Sequence, residues 1–115
     1  MPFSFRDGNG QPAGYSVDLC RRIAAAVERT LNISRLDVKW VPVTPENRVP
    51  QVTSGAVDLE CGVTTVTLGR QQQVDFSNLI FVEGGSMLIR AEGGPQRLAD
   101  LARTTAGVLA GTTTA

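Results

Sequence analysis

The run Cys61-Gly62-Val63-Thr64-Thr65-Val66-Thr67-Leu68-Gly69-Arg70 gathers more chemistry than any other stretch of this chain. An apolar segment, Val57 to Cys61, reads as a short strand that runs into a glycine and a cluster of hydroxyls. An arginine follows where a new helix would begin. Hydroxyls, free backbone N–H groups and a guanidinium converging at the carboxyl end of a strand make a receptor for a small carboxylate. The arginine supplies a planar fork that matches a carboxylate with two parallel hydrogen bonds. The threonines and the helix-start N–H groups add neutral donors in a region of positive partial charge. The plain alternative is that Thr67 caps a helix and Arg70 is a solvated first-turn residue.

The rest of the composition narrows the chemistry further. The 115 residues suit one domain, with a hydrophobic fraction of 42% and a charged fraction of 19%, ordinary values for a globular protein. Eleven basic and 11 acidic residues balance to zero net charge and are scattered, a pattern that points to neither nucleic acid nor a membrane surface as partner. The sequence has no histidine, which removes the usual general base, the commonest metal ligand and every histidine-dependent triad. Zinc would rest on Cys20, Cys61 and carboxylates at no recognisable ligand spacing. No metal and no cofactor are expected. One disulfide, Cys20–Cys61, is permitted, but its geometry is not readable from sequence. Cys20 falls on the apolar side of an expected helix and Cys61 ends a buried strand, so the expectation is two buried thiols acting as small hydrophobes. No run of 18 apolar residues exists. The start, Met1-Pro2-Phe3-Ser4-Phe5-Arg6, has neither a basic n-region nor an apolar h-region, so it is not read as a signal peptide. The chain is then either cytoplasmic or missing a leader.

The elements that would position these groups follow from periodicity and turn chemistry. Residues 1–14 read as irregular, with Asp7-Gly8-Asn9-Gly10-Gln11-Pro12 dense in turn formers. Cys20, Ile23, Val27 and Leu31 recur on one helical face and predict a helix from Ser16 to Leu31, with Ser16 as N-cap and Asp18 in the first turn. Asn32-Ile33-Ser34 matches a glycosylation sequon, and a helix-ending turn explains it as well. Asp37 to Val43 reads as a strand. Thr44-Pro45-Glu46 opens a second helix, Pro50 should kink it, and Ser54-Gly55 closes it with a C′ glycine. Thr67 begins a short polar helix through about Gln73. Asp75 to Ser77 and Leu79 to Val82 are short extended pieces, and Ser86 to Arg90 is a firmer strand. Leu98 and Leu101 mark a brief helix, and Ala106 to Ala110 a last strand running into Gly111-Thr112-Thr113-Thr114. Such alternation predicts an α/β domain with a parallel or mixed sheet flanked by helices.

Read in order, Pro2-Phe3-Ser4-Phe5, Gly14-Tyr15-Ser16-Val17-Asp18-Leu19, Thr44-Pro45-Glu46-Asn47-Arg48, Glu60-Cys61-Gly62-Val63-Thr64-Thr65 with Arg70, Asp75-Phe76-Ser77 and Gly111-Thr112-Thr113 form a string. It resembles the solute-binding proteins of polar amino acid ABC transporters, in their glutamate/aspartate branch, and more distantly the ligand-binding domain of ionotropic glutamate receptors. The resemblance covers essentially the whole chain. It implies a type II periplasmic binding fold of two lobes, an amino acid clamped in the cleft, a membrane permease of an ABC transporter as partner, and a periplasmic location. This chain is similar to the first lobe, residues 1–105, with 106–115 as the crossover strand that starts the second. Arg70 lies where the family holds the ligand's α-carboxylate and Thr65 where a hydroxyl joins that contact. Backbone groups around Gly62 and Val63 would meet the α-ammonium. Arg48 sits where glutamate/aspartate binders grip the side-chain carboxylate, and Thr112 where the second lobe would approach from the other side.

Two departures bear on these expectations. Val63 stands where the acidic-ligand branch tends to have serine, so one hydroxyl is absent. The chain also begins after the family's first strand, which is central in the first-lobe sheet, and ends as the second lobe starts. An unpaired ladder would result, and one expected way to fill it is a domain-swapped homodimer exchanging 106–110. A fragment of this kind would bind its amino acid weakly or not at all. The alternative from another class is an enzyme similar to the cyclohexadienyl dehydratases, which need a carboxylic acid of raised pKa in the same cleft, with Glu60 as the nearest acid. A further alternative is a structural fragment without activity.

Overall fold

The computed structural model describes residues 2–102 and 104–113, the Leu98 side chain excepted. Two compact units, Met1–Phe76 and Ser77–Ala115, divide the chain.

The first unit is built around one long helix, α1 (Tyr15–Leu31). It begins one residue before the predicted start, and its N-cap is Gly14 rather than Ser16. Two backbone bonds from the preceding segment explain the shift. The N–H groups of Tyr15 and Ser16 donate to the carbonyls of Pro2 and Phe3, both at 2.9 Å, so the first-turn donors are satisfied without a side chain. Gly14 has a φ of 115°, and a Cβ there would collide with the Phe3 carbonyl. Only glycine fits this entry. Asn32, at φ 52°, ends the helix in the left-handed region, which is the turn reading of the Asn32-Ile33-Ser34 triplet.

Residues 1–14, expected to be irregular, contain a small hairpin. Strands β1 (Phe5–Arg6) and β2 (Pro12–Ala13) pair antiparallel with Phe5 opposite Ala13. The turn residues hold it: Asp7 Oδ1 accepts from the N–H groups of Asn9 and Gln11 at 2.8 and 2.9 Å. This two-stranded sheet is the sheet found among the described residues. The predicted parallel or mixed sheet is therefore corrected: 37–43, 57–61, 79–82, 86–90 and 106–110 carry no strand pairing. A strand exists only by a ladder of hydrogen bonds to a neighbour, and among the described residues these segments form no such ladder. The domain-swapped dimer finds no support in the structure.

Segments 36–43 and 56–61 instead flank the apolar face of α1, where Val17, Cys20, Ile23, Ala24 and Val27 join them in lining a groove of about 880 Å³. The face read from the sequence thus points to these segments in part, since Ile23 and Leu31 on it are exposed. Glu28 Oε1 accepts from the Leu36 N–H at 2.8 Å and ties the first segment to the end of α1. The Arg21 guanidinium lies 5.8 Å from the Trp40 ring centroid, a cation–π contact. Among the described residues only Ser16 and Val17 are fully buried, each 2% exposed.

Helix α2 (Arg48–Thr53) starts later than Thr44-Pro45-Glu46 suggests. Residues 45–47 form a turn first, closed by Arg48 N–H on the Thr44 carbonyl at 3.0 Å. Pro50 then falls on the third helical residue, whose N–H would have no intrahelical acceptor, so it does not kink the helix. Gly55, at φ 71°, terminates α2 as expected. Its N–H donates to Val52 and that of Ala56 to Gln51, both at 3.0 Å, the paired pattern of a Schellman motif. Helix α3 (Leu68–Gln71) is capped by Thr67.

The second unit holds one 3-10 turn at Leu98–Leu101. The Asp100 carboxylate accepts from the N–H groups of Gln96 and Arg97 at 3.1 and 3.0 Å and fixes its start. Residues 110–113 turn, and Thr112 Oγ1 donates to the Leu109 carbonyl at 2.6 Å. Residues 114–115 of the expected crossover lie outside the described residues. No helix among the described residues is long and apolar enough to cross a membrane.

Candidate functional site

The segment 60–70 is folded on itself by three side-chain contacts. Thr64 Oγ1 donates to Glu60 Oε2 at 3.0 Å in a half-buried setting. The Thr67 hydroxyl accepts from the Arg70 N–H at 3.3 Å and starts α3. The Arg70 side chain returns over the loop, its Nη1 donating to the Thr65 carbonyl at 2.9 Å. The cap and the guanidinium were set against each other as alternatives in the sequence; the structure brings both together, because the cap places Arg70 one turn on from the hydroxyl cluster.

Gly62 lies between the Glu60 side chain and Ser16 of α1. A Cβ at this position would meet the Glu60 carboxylate, so the residue must be glycine or Glu60 must move. Its carbonyl accepts from Ser16 Oγ at 2.8 Å, a contact between residues 46 apart. Next to it, Cys61 is bonded to Cys20 with Cα atoms 6.2 Å apart. This disulfide corrects the expectation of two free thiols. It could not be read from the sequence, because the Cβ positions that decide it are set by how 57–61 lies along α1. The role of Ser16 was likewise missed, since its position at the start of a helix reads locally as a cap.

Arg48 opens α2, and its Nε is buried with no hydrogen-bond partner among the described residues. A buried guanidinium nitrogen without an acceptor is costly. Nearby, Glu46 has its pKa lowered, chiefly by a hydrogen bond from the Thr44 side chain, then by its own backbone N–H, with the charge of Arg48 adding to both.

Val63 is exposed and Thr65 presents its backbone carbonyl to Arg70. Gly62, Val63, Thr65 and Arg70 are thus one continuous feature, and Arg48 belongs to the same unit on a separate helix. Thr112 lies in the second unit. Among the described residues no cluster of three or more acidic or sulfur side chains is spaced to hold a metal ion. Chemically, Arg48, Arg70 and the hydroxyls and loop N–H groups of 62–70 are a donor-rich set suited to carboxylates.

Comparison with known proteins identifies the family. Residues 1–108 match the bacterial extracellular solute-binding proteins, family 3. The chain is 41% identical over 113 residues to the glutamate/aspartate import solute-binding protein of Salmonella typhimurium, covering 98% of this chain and 37% of that protein. It is 40% identical over 114 residues to the L-glutamate/L-aspartate-binding protein of Pseudomonas aeruginosa, covering 98% of this chain and 38% of that one. A glutamate/glutamine/aspartate/asparagine-binding protein of Rhodobacter capsulatus is 32% identical over 114 residues, with 97% and 32% covered. The chain spans about a third of the length of these curated relatives.

Proposed function

The chain belongs to the bacterial extracellular solute-binding proteins of family 3, and we propose that it recognises a small acidic amino acid, glutamate or aspartate, for an ABC importer. The family implies a type II periplasmic binding fold. In this reading residues 1–105 are lobe 1 and 106–115 the crossover into lobe 2, with the membrane permease as partner and the periplasm as the working compartment. The disulfide between Cys20 and Cys61 suits an oxidising compartment.

The observation that carries the reading is Arg48: a guanidinium whose buried Nε lacks a partner among the described residues, in a chain whose relatives are named for glutamate and aspartate. Arg70 would take the α-carboxylate through the part of its fork not bonded to Thr65, with the Thr65 hydroxyl beside it. Backbone groups around Gly62 and Val63 would take the ammonium, and Arg48 the side-chain carboxylate. Two cations set for two carboxylates favour a dicarboxylic amino acid over a neutral one.

Affinity sets the scale of the test. A micromolar site has roughly 8 kcal/mol of binding free energy, and half of that is near millimolar. A ¹⁵N–¹H NMR titration with L-glutamate should produce saturable shifts at Arg48, Gly62–Thr65 and Arg70, and L-lysine should produce none. Equal responses to both, or to neither, would overturn the reading.

A further inference from the structure

We infer that Ser16 is a positioning residue for the ligand loop, its buried hydroxyl fixing the Gly62–Val63 peptide plane; this rests on the reading of 62–70 as an amino-acid site. Ser16 is the second residue of α1 and only 2% exposed. Its own N–H is taken by the Phe3 carbonyl, and the helix is capped at Gly14, so the hydroxyl has no capping duty. A helical serine commonly turns its hydroxyl back onto its own helix. This one reaches across 46 residues to the Gly62 carbonyl at 2.8 Å.

The neighbouring contact shows what the bond acts on. Cys20, one turn further along the same face of α1, is bonded to Cys61. Consecutive residues of the loop, 61 and 62, are therefore gripped by positions one turn apart on one helix. The disulfide fixes where the chain arrives, and the hydroxyl fixes how the next peptide is rotated. Because a trans peptide is planar, holding the Gly62 carbonyl also sets the direction of the Val63 N–H, which points the opposite way. That N–H has no partner among the described residues. On the other side, the Glu60 carboxylate lies where a Gly62 Cβ would be and accepts from Thr64. The peptide that leads into Val63, Thr64 and Thr65 is thus set by the Ser16 bond and the Cys61 bridge before any ligand arrives. Preorganised groups of this kind raise affinity by removing the need to order them on binding.

The test compares Ser16→Ala with Val17→Ala, the adjacent residue of equal burial that makes no bond to the loop. Without ligand, Ser16→Ala should move the Gly62 carbonyl ¹³C resonance and lower ¹⁵N order parameters over 62–65. Val17→Ala should lower thermal stability and leave those signals in place. With L-glutamate, Ser16→Ala should raise Kd roughly tenfold, the effect of leaving a buried carbonyl without its donor. Val17→Ala should hold Kd within about twofold. Ser16→Cys, nearly isosteric with a weaker donor, should fall between wild type and Ser16→Ala on both readouts. Unchanged loop order in Ser16→Ala, or equal losses of affinity in the two alanine variants, would overturn the inference. A wild-type chain that ignores glutamate would refute the amino-acid site, and the ligand-free loop signals would still decide the positioning role.

Discussion

Arg70 Nη1 donates to the carbonyl of Thr65 at 2.9 Å, so the guanidinium is anchored by the loop that would carry the ligand. Its backbone N–H is held at the same time by the Thr67 hydroxyl. Anchoring one amino group leaves Nε and Nη2, the side-on edge that pairs with a carboxylate through two parallel bonds.

Arg70→Lys therefore removes both functions while keeping the charge. A lysine is a point charge without the fork, and it has no second amino group with which to hold Thr65. Affinity for L-glutamate should fall by about 10- to 100-fold, equivalent to roughly 1.4–2.8 kcal/mol, with little change in helix content. Calorimetric or NMR titration decides this. Retained affinity would mean that charge alone is recognised.

Arg48 separates stability from recognition. Its buried Nε has no acceptor among the described residues, so Arg48→Met, similar in reach and free of polar hydrogens, should leave stability unchanged or raise it by about 1 kcal/mol. The same change should weaken L-glutamate at least tenfold and L-glutamine less, because only glutamate loses a charged partner. Urea denaturation and competition titration read the two effects. Equal losses for both amino acids would place Arg48 away from the ligand's side chain.

The parts of the fold legible in the sequence are those decided within a few residues. The Thr67 cap and the Gly55 terminus depend on neighbours in the chain, and both are found where the pattern put them; of the α1 face, Cys20 and Val27 are half-buried while Ile23 and Leu31 are exposed. Pairing is different in kind. Asp37–Val43 and Val57–Cys61 have strand composition, yet a strand needs a hydrogen-bonded neighbour, and composition does not say whether one is present. The same distance effect hid the Ser16–Gly62 bond and the Cys20–Cys61 bridge, whose partners lie 46 and 41 residues apart. Arg70 and the hydroxyls stood out because the loop is short. The unpartnered state of Arg48 was not visible, since it depends on what surrounds the side chain.

Glu46 gives a pH-dependent handle on the α2 turn. Its pKa is lowered, first by the Thr44 hydrogen bond, then by its backbone bond, with Arg48 contributing. A depressed carboxylate pKa favours the folded turn at pH values above the ordinary glutamate range, and this contribution is lost as pH falls through the lowered value. Thr44→Val should move the Glu46 carboxyl titration, followed by ¹³C NMR, upward toward the ordinary range. An unmoved midpoint would assign the shift to the backbone and Arg48 instead.

The Cys20–Cys61 bridge should contribute most to the stability of the first unit. With a sequence separation of 41, the chain-entropy estimate for closing such a loop is about 4 kcal/mol. Little else replaces it, since Val17 is the one fully buried apolar side chain among the described residues. Cys20→Ala/Cys61→Ala should therefore lower the urea midpoint sharply. Glutamate-induced shifts over 62–65 should disappear along with it, because Gly62 is the residue after the bridge. Thiol reduction of the wild-type chain should reproduce both changes and reoxidation should reverse them. A double variant with wild-type stability would show that apolar contact with α1 suffices to hold 57–61, and that the bridge only trims the unfolded ensemble.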